Sequence, residues 1–288
     1  MIKLTYEDGT DYVLQFGRYP DGTFYLPYEP DSLKLGTVKN ITMTKPTAEE
    51  VYKLVMFLDA KNIHNEALNS RIPYSLFFPM MPGGRQDKIV VKEGVDFLTT
   101  LKSTIRLIAK NLPSGSKMYT VDRHSEATSN NGSWIVNSIP IVDAIGDKIE
   151  ELRNDEYDVV IAPDKGAEER ARSVADTLDI PLLTLKKHRD LATGMILRYS
   201  GFDIGRTKAL VVDDICDGGA TFNMLAKSGN PEADLNLFVT FGIFSKGSEA
   251  LLRNYNKIYT TDLSGYDTPD GIIILEVLDR MIKEIAAK

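Results

Sequence analysis

Short apolar runs alternate along the chain with stretches whose apolar residues recur every three or four positions. The clearest runs are Tyr74 to Phe78, Met118 to Val121, Asp158 to Ala162, Pro181 to Leu185, Ala209 to Val212 and Leu235 to Phe241. Nearly continuous apolar character over so few residues predicts strands buried on both faces. The amphipathic stretches Ala48 to Lys61, Gly94 to Lys110, Gly166 to Leu178, Gly219 to Lys227 and Ser248 to Tyr255 predict helices, and Gly271 to Lys288 reads as a last strand and helix. Strand–helix alternation of this kind predicts an α/β fold of mainly parallel sheets flanked by helices. No repeat, low-complexity segment or Gly/Ser linker interrupts it. A division near Ile139 to Asp143 gives two α/β units, residues 1–140 and 141–288, with the final helix free to pack back on the first.

Composition narrows the class. The 288 residues include 34 Lys and Arg against 41 Asp and Glu, a formal charge of -7. An acidic surface argues against nonspecific nucleic-acid or membrane binding, which draws on basic stripes. The single cysteine, Cys216, excludes an intrachain disulfide and a multi-cysteine zinc site. The start of the chain is polar and no apolar run approaches twenty residues. A cytoplasmic enzyme or binding protein is the expectation.

In open parallel sheets ligands sit beyond the carboxyl ends of the strands. Here the residues following the strands are polar each time: GGRQDK, DRHSE, PDKGAEER, KKHRD and DDICDGGATF. In the last of these, an apolar strand runs into Asp213 and Asp214, then a turn of small residues, then a helix start. Small residues let backbone N–H groups approach a phosphate, and the helix amino terminus favours the anion. Asp217, Gly218, Gly219, Ala220 and Thr221 would form that cradle, with the Thr221 hydroxyl as a further donor. The two carboxylates suit ribose hydroxyls or a Mg²⁺ held through water. The competing reading is an acidic, solvated turn.

That string resembles the phosphoribosyl-pyrophosphate loop of type I phosphoribosyltransferases and of ribose-phosphate pyrophosphokinases. Further similarities favour the second family. Arg85-Gln86-Asp87-Lys88 is similar to its ATP-contacting stretch, Asp122-Arg123-His124 to a segment whose histidine binds a metal, and Pro163-Asp164-Lys165-Gly166 with Arg170-Ala171 to another strand ending. Lys187-His188-Arg189 falls where that family carries a Lys-x-Arg pair on a mobile loop. Tyr19-Pro20-Asp21-Gly22 and Phe244-Ser245-Lys246-Gly247 are similar to two shorter signatures. A simple transferase would leave GGRQDK and DRHSE unexplained.

The resemblance implies two phosphoribosyltransferase-like (type I) domains. It implies Mg²⁺-dependent transfer of the pyrophosphoryl group of ATP to a ribose 5-phosphate compound, releasing AMP, in a homodimer or higher homo-oligomer. ATP contacts fall to Arg85, Gln86, Asp87, Tyr19, Asp21 and His124, metal binding to His124, Asp164 and Asp213, and catalysis to Lys187 and Arg189. Gly194 and the weakly patterned stretch from Asp190 to Gly205 fit a lid.

Each assignment has a plainer alternative. Asp164 could cap the helix from Gly166, Arg85 to Asp87 could be a polar strand terminus, and His188 could be solvent-exposed. His64 reads as a surface or capping residue, Trp134 as core or interface, and Cys216 as packing. The chain also departs from the family: Gly218 and Ala220 replace Thr and Gly, Thr23 replaces Glu, Met80 to Gly84 replaces a tighter approach to Arg85, and a basic, Ser-containing segment linked to allosteric control is missing after Lys88. Loss of the Thr side chain predicts a more open pocket. That suggests a bulkier acceptor such as ADP-ribose, in an NAD-related pathway. A noncatalytic, nucleotide-binding relative is the reading from another class.

Overall fold

The computed structural model describes residues 1–27, 33–67, 72–87, 90–92, 95–97, 99–128, 135–189, 196–200 and 204–288, with side chains left out at 36, 64–67, 90–97, 189 and 196–197. Two compact units form, one from residues 1–139 with 278–288 and one from 140–277. The side chain of His64, and Trp134, lie outside the described residues.

The first unit begins with β1 (Ile2–Tyr6), β2 (Asp11–Val13), a short hairpin of β3 (Gly17–Arg18) and β4 (Phe24–Tyr25), β5 (Val38–Met43) and the helix α1 (Ala48–Ala67). Then come β6 (Ser75–Phe78), a ribbon of β7 (Val90–Lys92) and β8 (Val95–Phe97), α2 (Leu101–Ala109), β9 (Lys117–Val121) and β10 (Val136–Ile139). Its sheet has the order β10-β9-β6-β5-β1-β2. The first four strands are parallel, whereas β1 and β2 join antiparallel. The sequence pattern placed a helix start at Gly94. Instead Val95–Phe97 pairs antiparallel with Val90–Lys92, because a Val-Asp-Phe alternation suits an extended strand.

In the second unit α3 (Ile141–Ile145) and α4 (Ile149–Arg153) lead to β11 (Val159–Ala162), α5 (Glu168–Leu178) and β12 (Leu182–Thr184). A hairpin of β13 (Lys186–Arg189) and β14 (Ile196–Ser200) follows. Next come β15 (Lys208–Cys216), α6 (Ala220–Ser228), β16 (Asp234–Gly242), α7 (Glu249–Leu252), β17 (Ile258–Thr261) and β18 (Ile273–Leu275). The sheet is parallel throughout, in the order β12-β11-β15-β16-β17-β18. Helix α7 is shorter than its pattern, and Tyr255 beyond it donates its hydroxyl to the Phe222 carbonyl at 2.8 Å.

The last helix, α8 (Leu278–Ala286), belongs to the first unit and packs on β5 and β6. Met281, Ile282 and Ile285 are buried on one face. Each such side chain contributes about 1.5–3 kcal/mol by leaving water. Among the described residues no helix is long and apolar enough to cross a membrane.

One charge is out of place in the first unit. Lys61 on α1 is 1% exposed. Its Nζ lies 4.8 Å from the centre of the Tyr74 ring, and the Tyr74 hydroxyl is buried without a hydrogen-bond partner. Burial lowers the Lys61 ammonium from its ordinary 10.5 to about 8. The unfolded chain therefore binds the extra proton between those values, so stability rises with pH across that window. Lys61→Met is expected to raise unfolding stability by about 1–3 kcal/mol at pH 7, with the gain fading as pH approaches 10.5. A gain equal at pH 7 and pH 10 by urea unfolding would contradict this.

Candidate active site

Parallel strands deliver all their carboxyl ends to one edge of the second unit's sheet, and that edge gathers the charged residues. Asp213 and Asp214 stand near the end of β15, where they pair with one guanidinium: Arg170 Nη1 lies 3.5 Å from Asp213 Oδ1 and Nη2 lies 3.7 Å from Asp214 Oδ2. Arg170 comes from the first turn of α5, which the neighbouring strand β11 feeds. The Asp214 N–H also donates to Asp213 Oδ1 at 2.9 Å. Burial pushes the Asp213 carboxyl well above its ordinary range; the neighbouring charge of Asp214 adds to the rise, Arg170 opposes it, and Asp164 adds again.

Asp164 bridges two pieces of this edge. Its Oδ1 accepts from the Gly166 N–H at 2.9 Å, shaping the turn into α5, and its Oδ2 pairs with Lys187 Nζ at 3.1 Å. The helix itself begins at Ala167 with no side-chain cap, so Asp164 shapes the entry turn and is not the cap. Lys187 sits on β13 opposite Tyr199, 5.9 Å above its ring, and the hairpin is tied to α6 by the Tyr199 N–H donating to Ser228 Oγ at 3.2 Å. The Asp164–Lys187 pair and the Arg170–Asp213–Asp214 group thus stand as two ion-paired groups on one sheet edge. His188 is exposed and its Nε2 lies 2.8 Å from Ser200 Oγ. The backbone of Arg189 continues β13, while its side chain lies outside the description. The stretch read as a patternless lid contains β14; residues 190–195, with Gly194, and 201–203 lie outside the described residues.

The turn after β15 has the form the sequence suggested. Gly219 adopts φ +70°, the left-handed region, at the start of α6. A Cβ there would also lie 3.2 Å from Leu251, so glycine is required twice over. The first N–H groups of α6 have no intrahelical partner and face the turn. Thr221 is half-buried and Ala220 exposed. A second turn braces the first: the Ile243 and Phe244 N–H groups donate to the Cys216 carbonyl at 2.8 and 3.1 Å, and the Ser245 N–H to the Asp217 carbonyl at 3.1 Å. The Ser245 hydroxyl also donates to the Asp217 carboxylate. Cys216 is fully buried, and burial pushes its thiol up to about 12, which fits packing and not nucleophilic chemistry.

The space opposite Gly218 is not open. A Cβ on Gly218 would lie 3.2 Å from Lys246 Cδ and 3.4 Å from its Cε. The stem of Lys246 thus lies against the turn at position 218. Arg170, Ser245 and Lys246 stand within the stretches that carry the resemblance and have no role implied by it. Their signal was in those stretches; their partners, 43 and 28 residues away, were not visible.

In the first unit the remaining candidates occupy separate places. Tyr19 and Asp21 lie in the tip of the β3–β4 hairpin, where Asp21 Oδ1 accepts from the Thr23 N–H at 2.9 Å and Tyr19 packs on Tyr25 with ring centres 4.7 Å apart. Gln86 supports the start of α2: its Oε1 accepts from the Thr100 hydroxyl at 2.8 Å and its carbonyl from the Leu101 N–H at 3.4 Å. Arg85 is exposed and Asp87 half-buried beside it. His124 is exposed after β9, following Asp122, a buried residue held at φ +40°. Such a backbone costs about 1–3 kcal/mol outside glycine and tends to persist near functional sites. Among the described residues, no three His, Cys, Asp or Glu side chains are grouped as a metal site.

Two α/β units, the second with an acidic strand tip and a glycine turn into a helix, define a protein of phosphoribosyltransferase type. A family model for the phosphoribosyl transferase domain matches residues 134–232. The chain is 27% identical over 214 residues to ribose-phosphate pyrophosphokinase of Pyrococcus abyssi, covering 72% of this chain and 70% of that one. It is 24% identical over 275 residues to the enzyme of the same name from Pyrococcus furiosus, covering 92% and 91%. The crystal structure of phosphoribosylpyrophosphate synthetase from Mycobacterium smegmatis superposes with a TM-score of 0.74 at 18% identity, over 97% of this chain and 91% of that one. These similarities support a divergent member of the ribose-phosphate pyrophosphokinase family, a family of diphosphotransferases.

Removing Arg170 is expected to expose the strain it relieves. Arg170→Met leaves two carboxylates buried without their cation, a loss of about 3 kcal/mol at pH 7. The Asp213 carboxyl then has a folded-state pKa raised above its ordinary 3.8, so the destabilisation is full above the folded value and disappears as pH falls toward 3.8. Unfolding midpoints of variant and parent should therefore converge between pH 7 and pH 4. A constant gap would show that Arg170 acts through packing.

Proposed function

We propose that the chain transfers the pyrophosphoryl group of ATP to the anomeric hydroxyl of a ribose 5-phosphate compound. The anomeric oxygen attacks the β-phosphorus, the bond from that phosphorus to the oxygen bridging to the α-phosphorus breaks, the hydroxyl proton is lost, and AMP leaves. The observation that carries this reading is the gathering of two ion-paired groups, Asp164–Lys187 and Arg170–Asp213–Asp214, on the sheet edge that ends in the Gly219 turn. Similarity to the family supports the same reaction class.

The 5-phosphate would lie on the N–H groups of residues 218–221, with the Thr221 hydroxyl as a further donor. Asp213 and Asp214 would accept from the ribose hydroxyls, which fixes the sugar relative to the strand tip. Lys187 and Arg189, on the β13 hairpin, would stabilise charge spreading over the transferring phosphoryl oxygens. The ion pair with Asp164 holds Lys187 in place before substrate arrives. Arg85, Gln86, Asp87, Tyr19, Asp21 and His124 are our assignments for ATP.

The donor set fits Mg²⁺. The Asp164 carboxylate acts on Asp213 across this edge, and carboxylate oxygens are the ligands a small, hard cation takes. Bound there, or by His124 with ATP, Mg²⁺ would neutralise phosphate charge. The exposed aromatic pair Tyr19 and Tyr25 supports a homodimer or higher homo-oligomer.

The test is AMP release from ATP and Mg²⁺ with ribose 5-phosphate. Lys187→Ala and Arg189→Ala are each expected to lower turnover by about 10²–10³-fold with thermal unfolding unchanged. Unchanged turnover in both variants would remove the hairpin from the chemistry. Nucleotide binding without AMP release from any acceptor would favour a noncatalytic relative.

A further inference from the structure

We infer that Lys246 is a specificity determinant that selects acceptors whose 5-phosphate carries a second phosphate. The inference rests on the pyrophosphoryl-transfer reading and names the acceptor class for that site.

The argument starts from the missing side chain at position 218. Gly218 has no left-handed φ that would demand glycine; what a side chain there would meet is the Cδ, Cε and Cγ of Lys246, at 3.2, 3.4 and 3.5 Å. Glycine at 218 and lysine at 246 are thus one steric unit, in which a long cationic side chain replaces a short one at the phosphate turn. The backbone that carries this stem is fixed. The turn from Phe244 to Gly247 closes with the Gly247 N–H donating to the Phe244 carbonyl at 2.9 Å. Phe244 and Gly247 take φ of +47° and +76°, and Ser245 anchors the turn to Asp217 through both backbone and side chain.

With the stem lying on Gly218, the ammonium, one bond beyond Cε, sits at the rim of the turn. Lys246 is exposed and makes no ion pair among the described residues. A monophosphate seated on the N–H groups of residues 218–221 has its charge met by the helix start. A diphosphate ester places a second anionic group outside that cradle, at the rim, where the ammonium can donate to it. Ala220, small and exposed on the same turn, leaves room for the rest of such a molecule. The acceptor class is therefore a ribose whose 5-oxygen bears a diphosphate ester, and ADP-ribose is the probe.

The experiment uses the full chain with ATP and Mg²⁺, offering ribose 5-phosphate and ADP-ribose separately to the parent, Lys246→Ala and Lys246→Arg. The ratio of kcat/KM for ADP-ribose to that for ribose 5-phosphate should fall about 10- to 100-fold in Lys246→Ala and recover most of that loss in Lys246→Arg. Calorimetric binding of the two acceptors without ATP gives a readout independent of catalysis, with the ADP-ribose Kd expected to weaken by the same factor. Turnover with an unchanged ratio overturns the role of Lys246 and leaves the transfer chemistry standing. A shifted binding ratio without AMP release keeps Lys246 and removes the transfer reading. Absence of both binding and turnover overturns both.

Discussion

The second unit depends on one guanidinium placed between two adjacent carboxylates. Asp213 and Asp214 stand where β15 leaves the core, and desolvation at that point penalises the charge of Asp213 more than any neighbour relieves it. Arg170 reaches both. It can do so only because β11 and β15 are parallel neighbours, so that the helix following one strand starts beside the tip of the other. The fold thus delivers the cation that makes the acidic tip tolerable, and the acidic tip gives the sheet edge its chemistry. Asp164 extends the arrangement by holding Lys187, which brings the β13–β14 hairpin to the same edge.

The second unit was legible because its strands are buried on both faces and therefore nearly uninterrupted in apolar character. β15 and β16 have nine residues each and are buried along most of their length. The first unit was less legible for a physical reason. In β5, Asn40 and Thr42 are fully buried and hydrogen-bond to each other at 2.9 Å, so a core strand reads as a mixed one. β1 and β2 join antiparallel and lack the continuous signal altogether. A helical spacing from Gly94 concealed the ribbon of β7 and β8, since periodicity alone cannot separate short strands from helix turns.

The site was legible as types of residue following strands, and not as partnerships. Asp213, Asp214 and the glycine turn stand out because polar and small residues follow an apolar strand abruptly. Arg170 and Lys187 are distant in sequence from the carboxylates they meet, and only strand order brings them together. The departure at Gly218 shows the limit most clearly. Read alone, glycine in place of a hydroxyl side chain implies empty space. In three dimensions the stem of Lys246 lies 3.2 Å from where a Cβ at position 218 would stand.

The central claim is that the edge of the second sheet holds a ribose phosphate, with its phosphate on the glycine turn and its hydroxyls on the acidic tip. A crystal structure of the full chain soaked with ribose 5-phosphate or ADP-ribose and Mg²⁺ tests it most directly. The account predicts the 5-phosphate within hydrogen-bond reach of the N–H groups of residues 218–221 and the sugar hydroxyls against Asp213 and Asp214. A sugar phosphate bound at another edge of the protein, with Arg170 and its two carboxylates untouched, would contradict it.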